Sequence, residues 1–245
     1  MGTDRIEFNF LAGLAVFSLL IGSALSLNSQ ELVSVTSHII LPETRGQSEK
    51  PERALPAAAI WLTPLHAAPA PTGMNGHSYT LLQKNKEFLP HLLIVPVGSV
   101  VHFPNADPFF HNVFSLFDGR RFDLGLYEAG TSRDVTFGRE GISYIFCNIH
   151  PEMSAVVIAL STPYYAAGDP EGHFVIRDVP ADDYMLHVWV QGEDETALKA
   201  LARRVHVGKD RTDLGTINLP QLPHPMTSHE NKYGSEYDTR EAPVY

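Results

Sequence analysis

Beyond residue 30 the apolar positions fall into short runs closed by Gly, Pro, Asn and Asp. Such runs are too short for stable helices and are rich in Val, Ile, Phe and Tyr, so they predict strands. ELVSVTSHII (31–40) alternates weakly, AAAIWL (57–62) is a short apolar strand, and LLIV (92–95) is followed by Pro96 and Gly98. SVVHF (99–103), HNVFSL (111–116), RDVTF (133–137), ISYIFC (142–147) and AVVIAL (155–160) continue the series. Turn clusters separate them at PNADP (104–108), Asp118-Gly119 and 138–141. From about Thr162 a further section holds GDPEGHFVIRDVP (168–180), YMLHVWV (184–190), RRVHV (203–207) and LGTINL (214–219), with one short helix expected within 193–204. Many short strands with turn signals at this spacing predict an all-β sandwich or barrel. The polar stretch 42–53 reads as a loop, the Pro/Ala/Gly-rich 66–76 as a linker, and 220–245 as a mobile tail without apolar periodicity.

The N-terminus breaks this pattern. Phe10 to Leu27 is an apolar run without a charge and without an amphipathic stripe. Small residues at Ser23, Ala24 and Ser26 suit a signal peptide cleaved after Ser26, whereas Asp4, Arg5 and Glu7 replace the usual positive leader. The run also approaches bilayer-spanning length. Residues 1–27 are therefore expected to be a signal peptide or a membrane anchor, and both place the body outside the cytoplasm, in the periplasm or an equivalent compartment.

Composition narrows the partners. Apolar content of 44% and charged content of 19% are ordinary for a folded chain. The formal net charge of -10 argues against nucleic acid, which needs clustered Lys and Arg. The single cysteine, Cys147, excludes an internal disulfide, and a lone thiol in an exported protein calls for burial or ligation.

Chemistry concentrates around that cysteine. Cys147-Asn148-Ile149-His150-Pro151-Glu152-Met153 places a thiolate, an imidazole and a thioether in one turn after a strand. Soft sulfur with imidazole selects copper over magnesium or calcium. His111, at the start of an earlier strand, offers a second imidazole. Two His, one Cys and a weak axial Met form the ligand set of blue-copper sites. Taken singly, a Cys at a strand end or a Met after a His is usually core packing; the combination points to a metal. A second Cys for a binuclear centre, paired His-x-His motifs and a phosphate-binding Gly-rich loop are all absent from the sequence. Structural zinc would want four Cys or His ligands and no Met. The remaining histidines carry no ligand pattern, although His102 precedes the PNADP turn.

The segment from Ser78 to Leu160 resembles the cupredoxins, and its short Cys-x2-His-Pro-x-Met loop is similar to that of amicyanins. Asn105, six residues before His111, and the following Asn112-Val113 belong to the same resemblance. It implies a Greek-key β-sandwich in which His111, Cys147, His150 and Met153 hold one type 1 copper ion. It implies further that Asn112 steadies the ligand loop and the Cys147 sulfur by hydrogen bonds. His150 is then expected near the surface, within an apolar patch of Pro108, Phe109, Phe110 and Pro151, where a redox partner docks.

Gly172-His-Phe-Val-Ile-Arg-Asp-Val-Pro180 and Tyr184-Met-Leu-His-Val-Trp189 resemble the carboxypeptidase regulatory-like domain, a small transthyretin-like β-sandwich. The early strand of that family is matched by 57–62, on the far side of the copper segment. This order predicts that residues 31–66 plus 161–219 form a second, smaller sandwich into which 78–160 is inserted. The whole resembles bacterial methylamine-utilisation-type proteins. The expected function is electron carriage without enzymatic turnover; copper delivery and a metal-free interaction module are the rivals.

Overall fold

A computed structural model describes residues 31–42, 54–66, 77–116, 119–224 and 229–237. The expected export segment, most of the 42–53 loop and the 66–76 linker, and Asp118 lie outside them. The chain divides into Met1–Gln30 and Glu31–Tyr245, and every described element belongs to the second unit. Among the described residues no helix is long and apolar enough to cross a membrane.

The fold is all-β. In chain order the strands are β1 (Leu32–Ile40), β2 (Ala58–Pro64), β3 (Ser78–Thr80), β4 (Leu82–Lys84), β5 (Glu87–Leu89), β6 (Leu92–Pro96), β7 (Ser99–Pro104), β8 (His111–Ser115), β9 (Phe122–Tyr127), β10 (Ser132–Phe137), β11 (Gly141–Cys147), β12 (Ser154–Leu160), β13 (Tyr165–Ala167), β14 (His173–Pro180), β15 (Asp182–Val190), β16 (Arg203–Val207) and β17 (Asp213–Asn218). The helix α1 (Glu195–Leu201) is opened by Asp194, whose carboxylate accepts from the amides of Thr196 and Ala197. Strand β9 carries no clean alternation in the sequence. Its pairing with β8 shifts register between Asn112 and Phe114, and Gly125 adopts φ 66° within it.

Residues 78–160 build two main sheets, β6-β12-β11-β8-β9 and β10-β7-β3, with β4-β5 as a separate hairpin. Consecutive strands β7 and β8, and again β9 and β10, lie in different sheets, so the chain crosses between layers at these two connections, while β8-β9 and β11-β12 pair as consecutive antiparallel neighbours. Val101, Phe103, Val135 and Phe137 from one sheet meet Val113, Ile145, Val157 and Ala159 from the other in one buried core. The remaining strands form β14-β1-β17 and β13-β2-β15-β16. Strand β2 pairs with β13 and with β15, on the far side of the intervening segment in sequence. Among the described residues no strand of 78–160 pairs with a strand outside it.

The two pairs of sheets share apolar packing. Strand β12 is buried along almost its whole length. Ala155, Val157 and Ala159 join the core of the first pair, while Val156, Ile158 and Leu160 join that of the second. Successive side chains on a strand point to opposite faces, so both faces of the five-stranded sheet are covered at β12. That explains the unbroken AVVIAL run, since a strand buried on both sides needs no polar alternation. On the second pair, Trp189 Nε1 donates to Tyr144 Oη of β11 at 3.4 Å.

Candidate metal centre

Strand β11 ends at Cys147 and strand β8 begins at His111. Antiparallel pairing sets Cys147 opposite Val113 and Phe146 opposite Phe114. Alternation then turns Cys147 and Val113 into the core and sends Phe114 and Phe146 to the other face. After Cys147 the chain folds back at once. The Met153 amide donates to the His150 carbonyl at 3.0 Å and the Cys147 amide to the Met153 carbonyl at 3.2 Å. The Asn148 amide donates to the Asn112 carbonyl at 2.8 Å, which ties the loop to β8.

These constraints bring three predicted residues together. Nδ1 of His111 and Nδ1 of His150 each lie 3.5 Å from Cys147 Sγ. The two imidazole rings sit 5.0 Å apart. His111, Cys147 and His150 form the group among the described residues whose donor atoms can share an ion. Met153 closes the loop and its side chain is buried in the same core as Cys147. His102 does not take part: it makes an exposed cross-strand pair with Asp134 at 2.7 Å.

Electrostatics leave the imidazoles neutral. Burial lowers the His111 pKa against the opposing pull of Asp107. Burial, then repulsion from His111, brings His150 down to about 4. Burial raises the Cys147 thiol, although the backbone amides of Asn112, Ile149 and His150 favour its anion. The Asn112 contribution to the sulfur thus runs through the main chain. Its side chain turns away and donates to Asp123 Oδ1 at 2.6 Å.

Asp107 is the site residue that the sequence did not reveal. Its Oδ2 lies 2.9 Å from His111 Nε2, and both side chains are buried. It also accepts from the Asn85 amide at 2.6 Å and the Lys86 amide at 3.0 Å. Burial opposes its ionisation, but those amides and the His111 ring prevail and hold the carboxyl below its ordinary value. The turn that presents it is fixed by Asn105, which accepts from the Asp107 amide and donates to the Phe109 carbonyl. The only signal in the sequence was an Asp four residues before a His inside a turn, which is common without meaning.

His150 differs from expectation in its exposure. It retains only 5% of its surface, because the Phe109 ring packs 5.4 Å from it. Pro108 and Phe110 beside it are exposed, and Phe109 and Pro151 are half-buried.

No family model matches this chain, and no curated protein does. Among solved structures it is similar to a purple cupredoxin from Nitrosopumilus maritimus, at 23% identity over 34% of this chain and 99% of that one, with a TM-score of 0.31. It is similar to an oxidised amicyanin variant, at 19% identity over 34% of this chain and 82% of that one, with a TM-score of 0.32. It is also similar to a copper-containing nitrite reductase from Thermus scotoductus, at 20% identity over 50% of this chain and 28% of that one, with a TM-score of 0.33.

Proposed function

We propose that this chain is an exported type 1 (blue) copper protein that carries single electrons between redox partners. The observation that carries the proposal is the approach of two imidazole Nδ1 atoms to one buried sulfur, each at 3.5 Å. That separation is about the chord between two ligands held roughly 2.0–2.3 Å from one ion at a near-tetrahedral angle. The donor set fits copper: His111, Cys147 and His150 would hold the ion, and the Met153 thioether would add a soft sulfur donor.

Bound copper would supply a one-electron couple there. The chain's own residues account for the rest. Asp107 keeps the proton of His111 on Nε2 and so turns the Nδ1 lone pair toward the sulfur. Neutral imidazoles are ready to bind without first losing a proton, whereas Cys147 releases its proton on ligation. Strand ends and a loop closed by its own amides hold the donors in place, so little need move when the charge of the centre changes. Burial keeps water away. The exposed Pro108 and Phe110 offer an apolar rim beside His150, suited to a weak and transient partner. The acidic chain favours a basic partner, chiefly through the rate of encounter. The resemblance of 172–189 to a carboxypeptidase regulatory-like module makes the second sandwich a support into which the copper segment is inserted.

The test is a visible and electron paramagnetic resonance spectrum of the protein loaded with oxidised copper. An intense thiolate-to-copper band with narrow copper hyperfine splitting, lost in Cys147→Ala, is the expected result. Copper bound without that band would overturn electron transfer through Cys147. Selective binding of reduced copper with transfer to an acceptor protein would point to delivery. Full function in Cys147→Ala would point to a metal-free interaction module.

A further inference from the structure

The C-terminal segment meets the metal centre from the face opposite the ligands. Asn231 closes a tight turn: its amide donates to the Ser235 carbonyl, and its Oδ1 accepts from the amides of Tyr233 and Ser235. Gly234 takes φ 73° in this turn, a conformation open to glycine at little cost. The turn presents Lys232 and Tyr237 to the start of the ligand loop and to β9. Tyr237 Oη donates to the Cys147 carbonyl at 3.0 Å. The Lys232 amide donates to Asn148 Oδ1 at 2.8 Å, and its Nζ reaches Asp123 Oδ2 at 2.7 Å. Asp123 in turn holds the Asn112 side chain, and the Asn112 carbonyl holds the Asn148 amide. Lys232, Asp123, Asn112 and Asn148 therefore form a closed ring around the junction of β8, β9 and the ligand loop. On the outer face of β8 and β11, the His229 ring stacks 4.2 Å from Phe146 and lies 6.0 Å from Phe114, where it also meets the Tyr237 ring.

We propose that residues 229–237 are a built-in strap that positions the metal centre by fixing Cys147 and Asn148 from behind, with Tyr237 and Lys232 as its positioning residues. The inference deepens the copper proposal, and the strap's grip on Cys147 is made by residues of the chain alone. None of its side chains lies among the proposed ligands, so it acts through the backbone that carries them. A chain held at both the Cys147 carbonyl and the Asn148 side chain resists the outward swing that would open the loop to solvent.

The experiment compares the full chain with Tyr237→Phe and with a chain ending after His224. The first readout is amide hydrogen exchange over 145–153 in metal-free protein. Tyr237→Phe keeps the ring and loses one hydrogen bond, so exchange in this segment should quicken about fivefold, as loss of about one ordinary hydrogen bond requires. The truncated chain should exchange at least about tenfold faster there, with 99–104 unchanged. Equal protection in all three proteins would overturn the strap. The second readout is the reduction potential and thiolate band of the copper-loaded forms, both of which should shift in the two variants. If no form shows the band, the copper proposal fails while the exchange result still decides the strap. Faster exchange with an unaltered band and potential would overturn the positioning of the centre.

Discussion

The Asp107 carboxylate grips the His111 imidazole from behind, with Oδ2 2.9 Å from Nε2 and both groups buried. A buried anion at this place selects one tautomer of the ring and makes it a stronger donor toward a cation. It also favours the more highly charged state of any redox ion bound there.

Asp107→Asn should weaken copper binding by about 10–100-fold, the usual cost of losing such a partner. The reduction potential should rise, because a negative charge beside the centre has gone. A chelator competition and a potentiometric titration read the two effects. An unchanged affinity together with an unchanged potential would show that the carboxylate does not act on the centre.

The Asp123 carboxylate gives a pH dependence. Burial works against its ionisation, but hydrogen bonds from Lys232, Asn112 and the Gly125 amide lower its pKa below the ordinary 3.8. A depressed carboxylate contributes stability that is present above about 3.8 and lost as pH falls through the folded value. Urea unfolding at neutral pH and at pH values below about 3.8 should therefore show a smaller acid-side loss in Asp123→Asn than in the unaltered chain. Equal losses would mean that this pair adds nothing to the acid response.

Both faces of the five-stranded sheet should prove sensitive. Ile145 faces the core beside Cys147, and Ile158 faces the second pair of sheets. Truncation of either to Ala should cost about 2–5 kcal/mol. If the outer face were solvated, Ile158→Ala would stay within about 0.5 kcal/mol of the parent by denaturant unfolding.

Two glycines separate backbone strain from crowding. Gly125 has φ 66° and open space at its Cβ position, whereas a Cβ at Gly172 (φ 88°) would lie 2.3 Å from the Ile39 carbonyl oxygen. Gly125→Ala should cost about 1–2 kcal/mol from the left-handed conformation alone. Gly172→Ala should cost about 1–3 kcal/mol more, because β1 must give way. Equal costs by chemical denaturation would show that β1 yields freely.

The sequence by itself determined the all-β class and singled out His111, Cys147, His150 and Met153 as candidate ligands, of which the structure gathers His111, Cys147 and His150. Strand periodicity is local, and Cys147, His150 and Met153 sit within one turn, so residue type and spacing were enough. His111 was legible for the same reason, as the first residue of a strand after a tight turn. Tertiary structure alone decided the rest. Asp107 reaches His111 only because Asn105, Asn85 and Lys86 fold its turn inward. His150 is covered because Phe109 packs against it. The expected tail at 220–245 includes, at 229–237, a stretch that grips Cys147 and Asn148 through contacts spanning some ninety residues of chain. No local pattern encodes such contacts: a polar segment that finds its hydrogen-bond partners on a distant strand has the same composition as one that finds them in water.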